Sequence, residues 1–347
     1  MAASSEFVRW GIVGTGNIAA KFAQQLPLSR TGRLAAVGSR TPAQAARFAA
    51  EHGNVRAHGS YEALLADPGV DAVYIATPHP DHAARCLAAA RAGKHLLCEK
   101  PLTLNHAEAV VVAEVARTHG VFLMEAFMYR CHPQTARLVE LIRSGEVGEV
   151  RLIEAAFGTH APFDPAWRLF NRALGGGAIL DLGCYVLSAA RLVAGAARGE
   201  PFADPVRLSG HGLLHPETGV DTRAIAALTF PGGIVAQLST SIDVALDVGL
   251  HIRGSAGSLH LAFPYVPREE NSIFLRRGDG AAEEIVVRAD RPLYALEADA
   301  VGEALARGER ESPCMPVADS LGNMAALDAW RAALGLLYPG EPGAQNS

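Results

Sequence analysis

Gly14-Thr15-Gly16-Asn17-Ile18-Ala19 follows the strand-like run at 7–13 and leads into an amphipathic stretch. Strand, glycine turn and helix in that order form a dinucleotide fingerprint. Gly14 permits the tight turn, and Gly16 lets the backbone approach a pyrophosphate. The small Ala19 allows the new helix to pack closely on the strand, and the helix N-terminus points its partial positive charge at the phosphates. Gly14, Thr15, Gly16, Asn17 and Ile18 are therefore the first residues expected to bind a cofactor.

Outward from this string, further strand-like runs occur at 34–38, 70–76, 95–98 and 121–126, with Ala-rich amphipathic stretches at 41–52, 80–93 and 105–119. Thr41-Pro42 reads as an N-cap followed by a first-turn proline. Strands alternating with helices predict an α/β fold whose N-terminal part is a Rossmann doubly wound parallel sheet. Past a helix at 133–144 the pattern changes to β-rich runs separated by turn signals such as Pro231-Gly232-Gly233 and Arg277-Gly278-Asp279-Gly280. Short turns between strands predict a C-terminal α+β domain with an open, mainly antiparallel sheet. The expected division is 1–127 for the dinucleotide domain and 128–347 for substrate binding and oligomerisation, the closing helix being free to pack back on the first domain. The tail beyond Tyr338, with Pro339 and Gly340, is expected to be loose.

Composition narrows the function classes. At 347 residues the chain is too long for one ordinary core, and two domains follow. A net charge of −5 argues against nucleic acid or an acidic membrane as partner. No apolar run approaches the roughly 18 residues of a membrane span. The start, Met1-Ala2-Ala3-Ser4-Ser5-Glu6, has neither a basic nor an apolar segment, so no secretory signal is expected. Five scattered cysteines without a C-x-x-C spacing read as buried or free thiols in a reducing cytoplasm.

The chemistry lies at strand ends. The second strand closes on Val37-Gly38-Ser39-Arg40, where an NAD enzyme usually places an acid for the ribose 2′-hydroxyl. Ser39 can donate to a 2′-phosphate and Arg40 can pair with it or stack on adenine, so NADP is favoured over NAD. Thr77-Pro78-His79 ends another strand on the same edge, and Thr77, Pro78, His79 and His82 join the cofactor set. His79 and His82 lack the companion cysteines or acids of a metal site, and no metal is expected. Glu99-Lys100-Pro101 places a lysine at the mouth of a later strand. Pro101 restricts Lys100 to extended backbone and can form a cis peptide. The ammonium would stabilise alkoxide character as hydride leaves carbon, with Glu99 orienting it beside the cofactor. Further on, Gly175-Gly176-Gly177 suggests a loop passing tightly against cofactor or substrate before a helix. Asp181 and Tyr185, four apart, share one face of that helix. Tyr185 is assigned proton transfer, with the lysine's charge favouring its ionised form, and Asp181 the seating of substrate hydroxyls.

At these residues the chain resembles the glucose–fructose oxidoreductase and inositol dehydrogenase family (Gfo/Idh/MocA). The resemblance covers the fingerprint, Thr77-Pro78, Glu99-Lys100-Pro101, Gly175–Tyr185 and the β-rich second half. It implies that Lys100 is catalytic and that an open sheet makes homodimer or homotetramer contacts. Many members carry histidine where this chain has Tyr185. Together with Glu125-Ala126-Phe127-Met128-Tyr129-Arg130 and Gly183-Cys184-Tyr185, that departure points to the subgroup of dimeric dihydrodiol dehydrogenases, NADP-dependent xylose dehydrogenases and aldose oxidoreductases, which use a lysine–tyrosine pair. Tyr129, Arg130, His160, Asp164 and Arg168 are further substrate-binding candidates, Arg130 having a second reading as a clamp on backbone carbonyls.

The expected function is NADP-dependent hydride transfer to or from a secondary alcohol or hemiacetal of a small sugar or polyol. Alternatives are a trans-dihydrodiol dehydrogenase, a dicarbonyl or anhydro-sugar reductase, an aldose oxidoreductase that retains its cofactor, and an NADP-loaded sensor without turnover.

Overall fold

The computed structural model describes residues 7–341. Residues 7–132 and 290–320 form one compact unit, and residues 133–289 and 321–341 form a second.

In the first unit, the chain runs β1 (Val8–Val13), α1 (Asn17–Gln25), β2 (Gly32–Gly38), α2 (Pro42–Glu51), β3 (Arg56–His58) and α3 (Tyr61–Leu65). It continues through β4 (Ala72–Ile75), α4 (His82–Arg91), β5 (His95–Glu99), α5 (His106–Thr118) and β6 (Leu123–Ala126). The six strands pair in the order β3-β2-β1-β4-β5-β6, all parallel, the doubly wound order with its switch point between β1 and β4. Every residue of β4 and β6 is buried, as a strand covered by helices on both faces requires. Phe22 of α1 stacks on Tyr74 of β4 with centroids 4.0 Å apart. Helix α2 starts on the Thr41-Pro42 signal, Thr41 accepting from the Gln44 amide at 3.4 Å. β3 and α3 escaped the sequence reading because three and five residues hold too little periodicity to register.

The second unit contains α6 (Pro133–Arg143), β7 (Val150–Gly158), α7 (Cys184–Ala196), β8 (Arg207–Leu214), β9 (Asp221–Thr229) and β10 (Val235–Ser241). Four more strands follow: β11 (Gly249–Gly254), β12 (Gly257–Leu261), β13 (Glu270–Arg277) and β14 (Glu283–Arg288). They form an eight-stranded sheet ordered β14-β13-β12-β11-β7-β10-β9-β8. It is antiparallel except for β7 and β10, whose long connection through α7 makes a parallel crossover possible. Alternation along β9 sends Ala224, Ala226 and Leu228 inward and Arg223, Ile225 and Ala227 outward. The opposite, open face exposes Leu213, Ile225, Val235 and Val286.

α7 is buried along its whole length against β7, β10 and α6. The stretch Arg172–Ala196 has the length and composition of a membrane span, although Asp181 and Arg191 interrupt its apolar run. Its most apolar part lies entirely inside the protein, which marks it as a core helix.

After the sheet the chain re-enters the first unit as α8 (Leu293–Ala306), and α9 (Val317–Ala333) ends in the second. The tail is not loose through Glu341. Tyr338 is fully buried, and Glu341 accepts from its amide at 2.7 Å and pairs with buried Arg331 at 2.8 Å. A buried guanidinium needs this second carboxylate beside Asp328, so the segment is fastened down. Residues 342–347 lie outside the described part.

Candidate active site

In the first unit, the fingerprint turns as its residues require. Gly14 has φ of +108°, and a Cβ there would meet the Ala76 carbonyl oxygen at 2.9 Å, so no other residue fits. Gly16 is the N-cap of α1, and no side chain caps that end. Nothing lies within 4 Å of where a Gly16 Cβ would stand, and the first helical turn carries no acid. Gly16 and Asn17 are exposed, Thr15 and Ile18 half-buried, and Ala19 fully buried against the sheet. An open helix N-terminus of this kind fits a pyrophosphate. Beside it the Thr15 and Ser39 hydroxyls lie 3.4 Å apart, and Ser39 also donates to Gln44 Oε1 at 3.1 Å. Arg40 is exposed next to them, and no carboxylate closes β2. The Thr77 hydroxyl is buried and has no partner among the described residues, as a group reserved for a ligand would be. These features fit a dinucleotide.

The loop after β5 is pinned from three sides. Glu99 is buried; one carboxylate oxygen accepts from the Tyr74 hydroxyl and the other from the Lys100 amide at 3.2 Å. Glu125, the third residue of β6, accepts from the Leu102 amide at 2.8 Å. His82, at the start of α4, is fully buried, with Nδ1 2.9 Å from the Pro101 carbonyl and Nε2 2.8 Å from the Thr77 carbonyl. His82 thus ties the loop after β4 to the loop after β5. Burial pushes its imidazole below the usual histidine range, while both carbonyls pull it back up. The Lys100–Pro101 peptide is cis, and Lys100 itself is half-buried. Pro78 is half-buried, and the buried His79 lies edge-on to His82 with centroids 5.7 Å apart. Among the described residues no cluster of three metal-ligating side chains exists.

Behind this loop sits Glu297 of α8, fully buried and without a hydrogen-bond partner among the described residues. Burial, then the Glu99 charge, pushes its carboxyl well above the usual range. Tyr129 is buried beside Phe127, centroids 6.0 Å apart. Arg130 is also buried and gives its guanidinium to Asp319 at 2.5 Å and the Cys314 carbonyl at 3.1 Å, which is the clamp geometry.

In the second unit, the glycine run is explained from within. A Cβ on Gly176 would meet the Arg168 and Leu169 carbonyls at 2.6 Å, and one on Gly177, at φ +120°, would meet Asp221 Oδ1 at 2.1 Å. The expectation of a loop opened for a ligand is corrected at these two positions, because the missing side chains make room for the protein's own backbone and for Asp221. The Asp221 carboxylate accepts from the Ile179 amide at 2.6 Å, and the Tyr338 hydroxyl donates to the Gly176 carbonyl at 2.5 Å. The helix then opens with a π-helical turn, Ile179–Gly183, before α7. Asp181 and Tyr185 therefore straddle the π-to-α junction, and Asp181 pairs with Arg168 at 2.9 Å. Tyr185 is buried among aromatic rings, edge-on to Phe157 at 5.6 Å and tilted against Tyr265 at 6.1 Å. His160 is exposed, its Nδ1 2.7 Å from the Asp243 carbonyl, and exposed Asp164 accepts from the Ala166 amide at 2.9 Å.

Sequence reasoning did not single out Tyr74, Asp221 or Glu297, and Glu125 entered only as part of a motif. The available signal was a polar residue inside an otherwise apolar strand or helix, which the covalent sequence does not distinguish from a surface position.

Two family models account for most of the chain. The oxidoreductase family with an NAD-binding Rossmann fold matches residues 8–127, and the GFO/IDH/MocA C-terminal domain matches residues 135–260. The chain belongs to the Gfo/Idh/MocA oxidoreductases. Within this family, the trans-1,2-dihydrobenzene-1,2-diol dehydrogenase of Mus musculus is 36% identical over 343 residues, covering 96% of this chain and 98% of the relative. The crystal structure of KijD10, a 3-ketoreductase from Actinomadura kijaniata in complex with NADP and TDP-benzene, matches with a TM-score of 0.83 at 31% identity, covering 94% of this chain and 98% of that one. Crystal structures of KijD10 variants with one lysine or one tyrosine replaced match as well. The aldose–aldose oxidoreductase of Caulobacter crescentus, complexed with glycerol, matches with a TM-score of 0.84 at 25% identity, covering 94% and 97%.

Burial raises the Asp221 carboxyl from 3.8 to about 7, against the pull of the backbone amides of Ile179 and Asp221 itself. The folded state therefore holds this proton more tightly than the unfolded chain. The associated stability is fully present below pH ~4, declines as pH rises, and is gone above about 7, at most about 4 kcal/mol in all. Urea unfolding between pH 4 and 8 should show this decline in the wild type and lose it in Asp221→Asn. Parallel curves for the two proteins would contradict the assignment.

Proposed function

We propose that this oxidoreductase transfers hydride between NADP and a CH–OH group of a small sugar or polyol. The observation that carries the reading is Lys100, held at the carboxyl edge of β5 by Glu99, Glu125 and His82, on the edge where doubly wound sheets bind ligands. The loop is anchored at this much polar cost where an ammonium must be placed accurately. NADP is the favoured cofactor because β2 ends in Ser39 and the exposed Arg40 without a carboxylate.

A bound nicotinamide supplies the hydride acceptor or donor. In the oxidative direction Tyr185 takes the proton of the substrate hydroxyl, and the Lys100 ammonium hydrogen-bonds the same oxygen as negative charge develops there. In reduction Tyr185 returns the proton to the carbonyl oxygen. Asp181, paired with Arg168, accepts from neighbouring hydroxyls. Tyr129, His160 and Asp164 are assigned to substrate contacts on their residue types. The half-buried Phe157 beside Tyr185 favours one second reading, a trans-dihydrodiol whose ring packs near it. We place the protein in the cytoplasm, as its five free thiols suit a reducing compartment.

A panel of aldoses, polyols and trans-dihydrodiols with NADP+, followed by absorbance of the reduced cofactor, tests the reading. Turnover is expected with at least one aldose or polyol; turnover with dihydrodiols alone would select the second reading, and none at all would point to a non-catalytic sensor. Lys100→Met and Tyr185→Phe should each lower kcat by about 10²–10⁴-fold. Arg40→Ala should weaken NADP binding about tenfold or more and leave NAD binding unchanged, measured by titration of cofactor fluorescence. Equal losses for both cofactors would remove Arg40 from the phosphate site. The exposed apolar residues of the open sheet face are proposed to bury in a homo-oligomer. Sedimentation should find an oligomer that Ile225→Glu converts to monomer, and a monomeric wild type would refute this.

A further inference from the structure

Among the described residues three Phe, Trp or Tyr side chains are exposed: Phe163, Trp167 and Phe263. Phe263 lies under the Arg268 guanidinium at 4.1 Å. The other two, 45% and 42% exposed, share the segment between β7 and the glycine run. A single exposed apolar residue is ordinary, but two large rings four positions apart are not.

The two rings rest on a built support. Phe170 is buried in the core with Leu182 and Val220, edge-on to Phe163 at 5.2 Å and tilted against Trp167 at 6.4 Å. His215, in the turn between β8 and β9, stacks on Phe163 with centroids 4.2 Å apart and planes 17° apart. With that face covered, the exposure of Phe163 falls on the opposite one. The Trp167 amide donates to the Asp164 carbonyl at 3.0 Å, and the Phe170 amide to the Trp167 carbonyl at 2.9 Å, which fixes the turn. Among the described residues the Trp167 indole N–H makes no hydrogen bond. Directly after it in the chain, Arg168 reaches Asp181 through one guanidinium nitrogen at 2.9 Å, and its side chain is 38% exposed.

We infer that Phe163 and Trp167 form a stacking platform for a pyranose ring and give the enzyme its preference for cyclic over open-chain polyols. This rests on the sugar reading above and names the form of sugar. A pyranose presents a face of C–H groups and a rim of hydroxyls. The bare aromatic faces take the C–H groups, while the indole N–H, the remaining Arg168 donors and Asp181 take the rim. An open-chain polyol has no such face to offer. The charges beside the platform suit a neutral ring: Asp181 neutralises Arg168, and Asp164 and Glu217, which flank Phe163 and His215, are exposed carboxylates that repel an anion.

Trp10 and Trp330 are fully buried, so acrylamide quenching of tryptophan fluorescence reads Trp167. The test uses the full-length protein saturated with NADP+. At least one of D-xylose, D-glucose, D-galactose and methyl β-D-glucopyranoside should lower the quenching constant, and sorbitol and glycerol at the same concentration should not. Phe163→Leu should abolish that protection. In turnover, Trp167→Leu should raise KM for the pyranose about tenfold and keep kcat within about twofold. Protection by no pyranose, equal protection by sorbitol, or protection by a trans-dihydrodiol alone would overturn the proposal. A quenching constant that rises on dilution of the protein would also overturn it, by assigning the rings to contact between copies. Quenching needs no turnover, so pyranose protection without cofactor reduction would keep the platform and contradict the proposed reaction instead.

Discussion

His82 faces two backbone carbonyls, Thr77 at 2.8 Å and Pro101 at 2.9 Å, and the placement of Lys100 depends on that bridge. A carbonyl only accepts, so a neutral imidazole can satisfy one of the two and an imidazolium both. Glu99 and Glu125 fasten the flanks of the same loop through the amides of Lys100 and Leu102. Polar groups this deeply buried are costly unless satisfied, and here they are directed at the backbone of the loop that carries the lysine. The apolar sheet fixes where β5 ends, and these three side chains fix how the chain leaves it.

The second unit uses the same device once more. Asp221 accepts from the first amide of the π-helical turn and fills the space that Gly177 leaves. Tyr338, delivered by a tail that Arg331 and Glu341 hold down, closes the loop from the other side. The segment leading to Tyr185 is therefore set by contacts more than thirty residues distant in the chain. Both units place a chemically competent residue at an element junction and immobilise that junction with buried carboxylates.

Much of this was legible in the sequence. The strand–glycine–helix order at 7–19 dictated the Rossmann unit, because Gly14 and Ala19 meet steric demands no larger residue meets. The position of Lys100 just past the end of β5 was legible from the apolar run before it and the proline after it. The role of Gly175–Gly177 was not legible, since a glycine required by Asp221 looks the same in one dimension as a glycine required by a ligand. The π turn at 179–183 also leaves no mark, as its apolar spacing reads as ordinary helix. The parallel β7–β10 pair and the fastened tail are long-range matters, set by Ala155 beside Leu238 and by Arg331 beside Glu341. Local pattern specifies elements, and only tertiary contact specifies which neighbours they meet.

The proposed reaction has Lys100 and Tyr185 acting on one substrate oxygen as a unit. The most direct measurement is kcat/KM for the Lys100→Met/Tyr185→Phe double variant beside both single variants. Residues that share one oxygen give a double loss close to the larger single loss. Losses that multiply would mean that the two side chains act independently, and the account would fail.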